Sequence, residues 1–329
     1  MLKQAKRVFS GVQPSGSQVH IGNYLGAMKK FVELSKIYPT TVCIVDLHAL
    51  TSVEAKEKLE KFSISLAAAY LAIGLDEKET VIFRQSDVPE VCELMWYLSC
   101  NFPLGLLERS HALKDARAKS ESVNTGLMFY PVLMAADILL NRANLVPVGA
   151  DQKQHLEMTR DVATRFNNRF GDIFPIPEPL IAEDTGVIPG LDGRKMSKSY
   201  DNFIGLFETP KDLKKKVMRI ITDSKSVEDV KDPDSCNIYK LYSFFASDKE
   251  KLELSRKYRA GGMGYGEAKL ALLEVLERNL APMRDSYNYW LERPDELKDI
   301  LSDGAKRARE RSSETIQIVR DSLGIGKLL

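Results

Sequence analysis

The sequence predicts an α/β fold, a doubly wound parallel sheet with a smaller all-helical C-terminal domain. Two observations carry that expectation. From Arg7 to about Asp192, short β-prone runs alternate with amphipathic helical stretches. Strands separated by helices build parallel sheets covered on both faces. Beyond Asp192 the β signal fades and helical patterns follow one another. The break falls in a loop rich in Gly, Pro and Asp, 184–193, where the domain boundary is expected.

In order, Arg7–Ser10 is a β-prone start that runs into a Gly/Pro/Ser loop, Gly11–Ser17. Ile21, Leu25, Met28 and Phe31/Val32 then recur at helical spacing. Thr41–Val45 and Val81–Arg84 read as strands, with a helix over Leu59–Ala72 between them. Val91–Ser99 and Val123–Leu140 read as helices, Leu145–Val148 as a strand and Asp151–Phe170 as a helix. Lys211–Arg219, Ile238–Phe245, Lys249–Tyr258, Glu267–Trp290 and Pro294–Leu323 supply the helical part.

Composition narrows the function. The 329 residues are 44% hydrophobic and 28% charged, with a net charge of +1. That is globular composition, and it excludes disordered, collagenous and low-complexity chains. A balance near zero leaves no global pull on nucleic acid, so any such surface is a local patch. Cys43, Cys92, Cys100 and Cys236 lack zinc-site spacing and are expected to be reduced, mostly buried thiols of a cytoplasmic protein. The start, MLKQAKRVFSGVQ, has too short an apolar run for a signal peptide, and no stretch approaches a membrane span.

Three features carry chemistry. GVQPSGSQVHIGN, Gly11–Asn23, leads from a strand to a helix start, and helix N-termini attract phosphate. His20 and Asn23 lie three apart in its first turn, and Gly22 leaves room for a flat ring to approach the backbone. The spacing matches neither common phosphate-loop fingerprint, and an ordinary strand–turn–helix junction reads equally well. GRKMSKS, Gly193–Ser199, puts Lys195 and Lys198 in a Gly/Ser loop able to close on a polyphosphate, or simply to sit in solvent. Asp137 stands inside the apolar run MAADILL, where an unpaired carboxylate costs several kcal/mol, roughly, so a partner is required.

His20–Asn23 and Lys195–Ser199 together resemble the HIGH and KMSKS signatures of class I aminoacyl-tRNA synthetases. FSGVQPSG (Phe9–Gly16), IGNYLGA (Ile21–Ala27), YPVLMAADILL (Tyr130–Leu140), VPVGADQKQHLEMTRD (Val146–Asp161) and YGEAKLALLEVL (Tyr265–Leu276) resemble the bacterial-type, tryptophan-specific branch. Asn23 in place of the second His is usual there, whereas Ala150 stands where many relatives carry Glu.

The resemblance implies a Rossmann-like catalytic domain over 1–193 with the ATP and tryptophan sites. It implies a KMSKS loop and helical anticodon-binding domain over 194–300, and a C-terminal helix, 301–329, packing back on the catalytic domain. It implies activation of L-tryptophan by ATP, with Mg²⁺ carried on the phosphates and no structural metal, then transfer to tRNA(Trp) by a homodimer. No membrane or DNA partner is expected. His20, Asn23, Lys195 and Lys198 would be catalytic. Gln13, Pro14, Ser15, Gly22, Asn23, Gly149, Ala150, Asp151, Val187 and Lys195 through Ser199 (with Met196, Ser197 and Lys198) would take ATP. Asp137 would accept the indole N–H, a donor only, in a slot of Phe9, Met134, Val146 and Val148 beside His48, with Tyr130 and Gln152 at the amino group. Read without the resemblance, Phe9, Val146 and Val148 are strand core, Tyr130 is a helix-face aromatic and Asp151 is a plain N-cap.

Lys114 and Arg117, in a polar loop over 108–122, read as surface charges within possible reach of phosphate. Lys211, Lys214, Lys215, Lys216 and Arg219, then Lys306, Arg307, Arg309 and Arg311, fit phosphate contacts and solvated helix faces about equally. Competing expectations are a tyrosyl-tRNA synthetase, a small-molecule adenylyltransferase and a non-catalytic RNA-binding paralogue. A Ser/Cys–His–Asp triad using Asp46 and His48 has no nucleophile motif to support it.

Overall fold

The computed structural model describes residues 6–14, 16, 19–51, 55–118, 124–149, 152–181 and 187–326. β1 (Val8–Val12), β2 (Thr40–Ile44), β3 (Val81–Arg84), β4 (Leu145–Val148) and β5 (Glu178–Ile181) form one sheet in the order β3-β2-β1-β4-β5. Every pairing is parallel. The winding reverses between β1 and β4, the position where open α/β sheets bind ligands beyond their strand ends. β1 starts one residue later and runs two residues further than the sequence predicts. β5 was not predicted, because Pro175, Pro177 and Pro179 crowd it. It lies at the sheet edge, where a residue without an N–H is tolerated.

The chain divides into two compact units. The first comprises Met1–Ser17, Lys30–Ala182 and Trp290–Leu329, and the second Gln18–Lys29 and Glu183–Tyr289. All five strands belong to the first unit. Its core joins β-strand residues Phe9, Cys43, Phe83 and Val146 to helix residues such as Leu94, Ala135, Leu139, Leu156 and Phe166. The Thr125–Leu140 helix starts where Asn124 Oδ1 accepts the Leu127 N–H at 2.9 Å. The Lys153–Phe170 helix ends at Gly171, whose φ of 103° lies in the left-handed half that glycine tolerates. A short helix over His111–Ala118 replaces the polar loop expected there. The Pro294–Leu323 helix lies on β3, with Ala305, Ala308, Ile316 and Val319 in the core.

The second unit is helical: Pro210–Met218, Asn237–Ser243, Asp248–Ala260 and most of Tyr265–Leu291. Thr209 caps the first, and a Ser247–Glu250 capping box opens the third. Lys231 is fully buried, its ammonium donating to the carbonyls of Ser226, Val227 and Asp229.

The cysteine expectation needs correction. All four are free, but only Cys43 is buried, Cys236 is intermediate, and Cys92 and Cys100 are exposed. Among the described residues no helix is long and apolar enough to cross a membrane.

Candidate functional site

In the first unit, parallel register brings two strand ends together. Ile44 pairs with Arg84, so the chain leaves β2 and β3 side by side. β2 delivers Asp46, Leu47 and His48 on a short helix, and β3 delivers Gln85 and Ser86 on a 3₁₀ turn. The ends are tied: Leu47 N–H donates to Gln85 Oε1 at 3.1 Å, and Ser86 N–H donates to Asp46 Oδ1 at 2.9 Å. Asp46 is therefore turned to Ser86, not to His48, which removes the triad reading.

Asp137 reaches this junction from the Thr125–Leu140 helix. Gln85 Nε2 donates to both its oxygens, at 2.8 and 2.9 Å, and His48 Nε2 lies 3.0 Å from Oδ2. The partners the carboxylate required are thus, among the described residues, a glutamine and a histidine. Burial pushes its pKa above the usual carboxylate range, and the bonds from His48 and Gln85 oppose that. His48 Nδ1 is buried with no hydrogen-bond partner among the described residues. Such an atom marks a place where a ligand or ordered water completes the bonding.

Beside this cluster, the Tyr130 ring packs edge-on between His48, at 4.5 Å, and His155, at 5.2 Å. Gln152 Oε1 accepts from Tyr130 Oη at 3.3 Å and lies 3.0 Å from His155 Nδ1. Phe9 and Val146 are buried in the core, with Met134 and Val148 packed against it. The first unit therefore sets the buried Asp137 carboxylate among apolar core residues with an aromatic flank.

The second unit brings the other two motifs together. His20 caps the turn Ile21–Asn23: its Nδ1 accepts the Asn23 N–H, and Asn23 Oδ1 accepts the His20 N–H, both at 3.2 Å. The ring lies over Gly22, where a Cβ would stand 2.9 Å from its Cε1 and Nδ1. The flat ring that needs this glycine is thus the chain's own imidazole. The helix start is not an open phosphate cradle, because Ile21 N–H donates to Ile204 O, and Asn23 and Tyr24 N–H to His20. Met196 Cβ would lie 3.5 Å from a Cβ at Gly22, so the KMSKS segment packs against the HIGN turn. Lys195, Lys198 and Ser199 are exposed, and Ser197 is half-buried. Burial and the positive charges of Lys198 and Lys216 push His20 down to about 4. The imidazole is therefore neutral at pH 7, and because Nδ1 accepts, its proton sits on Nε2. A neutral N–H donor within the field of the exposed Lys198 ammonium suits the handling of phosphate oxygens.

Gln13, Pro14 and Gly149 belong to the first unit, and Val187, which is exposed, to the second. Ser15, Ala150 and Asp151 lie outside the described residues. Of the basic residues, Lys211, Lys214, Lys215, Arg219 and Lys306 are exposed. Arg307 instead donates to the carbonyls of Glu77 and Lys78, Arg309 to Glu90, and Lys216 to Glu208.

Sequence reading missed Gln85, His155 and Asn202. Asn202 is the buried hub of the KMSKS loop. It accepts from Ser197 N–H at 2.8 Å and donates to Asp192 at 2.7 Å and to Lys195 O at 3.1 Å. A Cβ at Gly190 would stand 2.4 Å from its amide, which explains that glycine. His155 had a signal, since it follows Gln152 by three on one helix face; Gln85 had none.

Residues 2–281 match the family described as tRNA synthetases class I (W and Y). The tryptophan–tRNA ligase of Fusobacterium nucleatum is 48% identical over 97% of this chain and 98% of its own. The tryptophanyl-tRNA synthetase of Campylobacter jejuni, solved in complex with ADP and tryptophan, is 46% identical with a TM-score of 0.90, over 97% of this chain and 99% of that one. The tyrosyl-tRNA synthetase of Archaeoglobus fulgidus, at 20% identity and a TM-score of 0.67 over 87% of this chain and 91% of that one, shares the fold.

Proposed function

The chain belongs to the class I tRNA synthetases of the tryptophan and tyrosine group, and from that premise we propose how its residues perform the ligation of tryptophan to tRNA. It is an ATP-dependent aminoacyl-tRNA ligase of the tryptophan type. The observation that carries the amino-acid reading is the buried Asp137 carboxylate, held by Gln85 and His48 inside an apolar helix. The indole ring has one polar atom, an N–H donor, and Asp137 accepts it. Phenylalanine lacks that donor and would leave the carboxylate short of a partner, a discrimination on the order of 10⁴–10⁵ at comparable sites. Phe9, Met134, Val146 and Val148 wall the ring, and Tyr130 and Gln152 receive the ammonium group.

ATP enters as its Mg²⁺ complex, the ion carried on the phosphates. Gln13, Pro14, Gly149, Val187 and the 195–199 loop take the nucleotide, and Asp151 accepts a ribose hydroxyl. A carboxylate oxygen of tryptophan attacks the α-phosphorus, the bond to the β-phosphate oxygen breaks, and pyrophosphate leaves. No covalent enzyme nucleophile is needed, so the residues act by positioning and by stabilising charge. His20 donates from Nε2, Asn23 holds that tautomer, and Lys195 and Lys198 neutralise the departing pyrophosphate. A terminal ribose hydroxyl of tRNA(Trp) then attacks the acyl carbon, and AMP leaves.

Lys211, Lys214, Lys215 and Arg219, all exposed, fit contacts to tRNA phosphates. Residues 194–300 serve as the anticodon-reading part. A homodimer is supported by Trp96, 68% exposed on the Glu90–Ser99 helix, with exposed Leu104 nearby in sequence. The protein acts in the cytoplasm, where its tRNA is.

ATP–pyrophosphate exchange with Trp, Tyr and Phe, followed by charging of tRNA, tests this reading. Exchange with tryptophan alone supports it, and exchange with tyrosine in preference overturns the pocket assignment. Gln85→Met keeps the volume and removes both bonds to Asp137. KM for tryptophan is expected to rise by about tenfold or more, from ~1–3 kcal/mol for the unpaired acceptor. An unchanged KM would show that Gln85 does not hold the carboxylate.

A further inference from the structure

Lys216 reads in sequence as one cation of a surface run, KKK, and the structure places it elsewhere. Its ammonium is bonded to Glu208, which is buried, and lies 4.1 Å over the centre of the Phe203 ring. Glu208 Oε1 also accepts the Gly205 N–H at 2.7 Å. Gly205 is bridged to His20: Ile21 N–H donates to Ile204 O at 2.9 Å, and Leu206 N–H to Val19 O at 2.8 Å. Phe203 in turn packs on the His20 ring, centroids 5.8 Å apart. Two routes therefore run from Lys216 to His20, one through the Glu208 carboxylate and the backbone it fixes, the other through the Phe203 face.

His20 has a demanding electrostatic task. Its Nδ1 must stay unprotonated, because the Asn23 N–H points at it. A proton on Nδ1 would set two donors face to face and open the cap. Bound triphosphate, being strongly anionic, pulls the imidazole toward that charged form.

We propose that Lys216 is a positioning residue of the adenylation step, holding the 203–206 segment against His20 and keeping the imidazole in its neutral, Nε2–H form. This rests on the reading above that His20 meets the phosphates of ATP. The charged groups acting on His20 are Lys198 from the KMSKS loop and Lys216 from the Pro210–Met218 helix, and Lys216 is itself paired with Glu208. Burial and both lysines act in the same direction on its titration. Removing Lys216 deletes one cation and leaves the Glu208 carboxylate uncompensated, and both changes favour the imidazolium. The sign follows: the His20 midpoint rises from about 4 toward the ordinary 6.5.

The test is NMR titration of ring-labelled histidine in the full chain. There are four histidines, and a His20→Gln spectrum assigns the signal. Lys216→Met is expected to raise the His20 midpoint, and Lys216→Arg, which keeps the charge, to hold it low. The acid limb of tryptophan-dependent ATP–pyrophosphate exchange should move up with it, with kcat falling more than KM for ATP changes. A folded Lys216→Met variant with an unmoved His20 midpoint overturns the proposal, as does an equal rise in Lys216→Arg. A midpoint that rises while the exchange profile stays in place upholds Lys216's hold on His20 and overturns the phosphate role given to His20.

Discussion

Asp137→Asn is expected to lower tryptophan-dependent ATP–pyrophosphate exchange by ~10²-fold or more while the chain stays folded. A hydrogen bond to a charged group contributes about 1.5–3 kcal/mol, which is roughly 10–150-fold. Asparagine loses more than the charge. Gln85 Nε2 donates to both carboxylate oxygens, and His48 Nε2 lies against Oδ2. Whichever way the new amide turns, its own N–H₂ faces a donor. The remaining oxygen is claimed by the protein before the indole arrives. The loss should fall on KM for tryptophan and on kcat/KM, with exchange toward phenylalanine falling much less, so that the ratio between the two amino acids narrows. An Asp137→Asn enzyme with unchanged tryptophan kinetics would remove the carboxylate from the recognition account.

The largest structural effect is expected at Gly304. The Pro294–Leu323 helix passes β3 so closely that a Cβ at Gly304 would stand 1.8 Å from the Ile82 carbonyl oxygen and 2.7 Å from its carbon. Both contacted atoms are backbone of a strand already paired to β2, so neither can yield as a side chain does. Since β3 is the terminal strand, this helix also covers a sheet edge. Gly304→Ala must lift the helix away, disturbing the Arg307 bonds to Glu77 and Lys78 and the Arg320–Glu93 pair. A cost above ~4 kcal/mol is expected, in the exceptional range for one substitution, which is a fall of roughly 10 °C in Tm. Gly266→Ala is the control: a Cβ there meets nothing within 4 Å, and its Tm should hold or rise slightly. Equal melting of the two variants would contradict the close approach.

Much of the sheet was legible because its strands are continuous apolar runs bounded by turn residues, as buried parallel strands must be. β5 was not, since three prolines in PIPEPLI argue against a strand unless its edge position is already known. In the site, Asp137 was legible for one reason, a carboxylate in an apolar run that needs a partner. The partners were not. Gln85 reads as an ordinary polar residue after a strand, and only the register of Ile44 on Arg84 brings it to Asp137. Lys216 and Arg307 were misplaced by the same logic in reverse. Basic runs on helices look solvated, and their engagement with Glu208 and with backbone carbonyls depends on tertiary contacts the pattern does not contain.

The most direct test is a cycle between the indole N–H and Asp137. ATP–pyrophosphate exchange would be measured with tryptophan and with β-(3-benzothienyl)alanine, in which sulfur replaces the N–H at nearly the same shape, in the wild type and in Asp137→Asn. The account predicts that the wild type prefers tryptophan by about 10–100-fold, from the acceptor left unpaired, and that the preference largely disappears in Asp137→Asn. A wild-type enzyme that activates both amino acids alike, or an equal preference in the two enzymes, would contradict recognition of the indole N–H by Asp137.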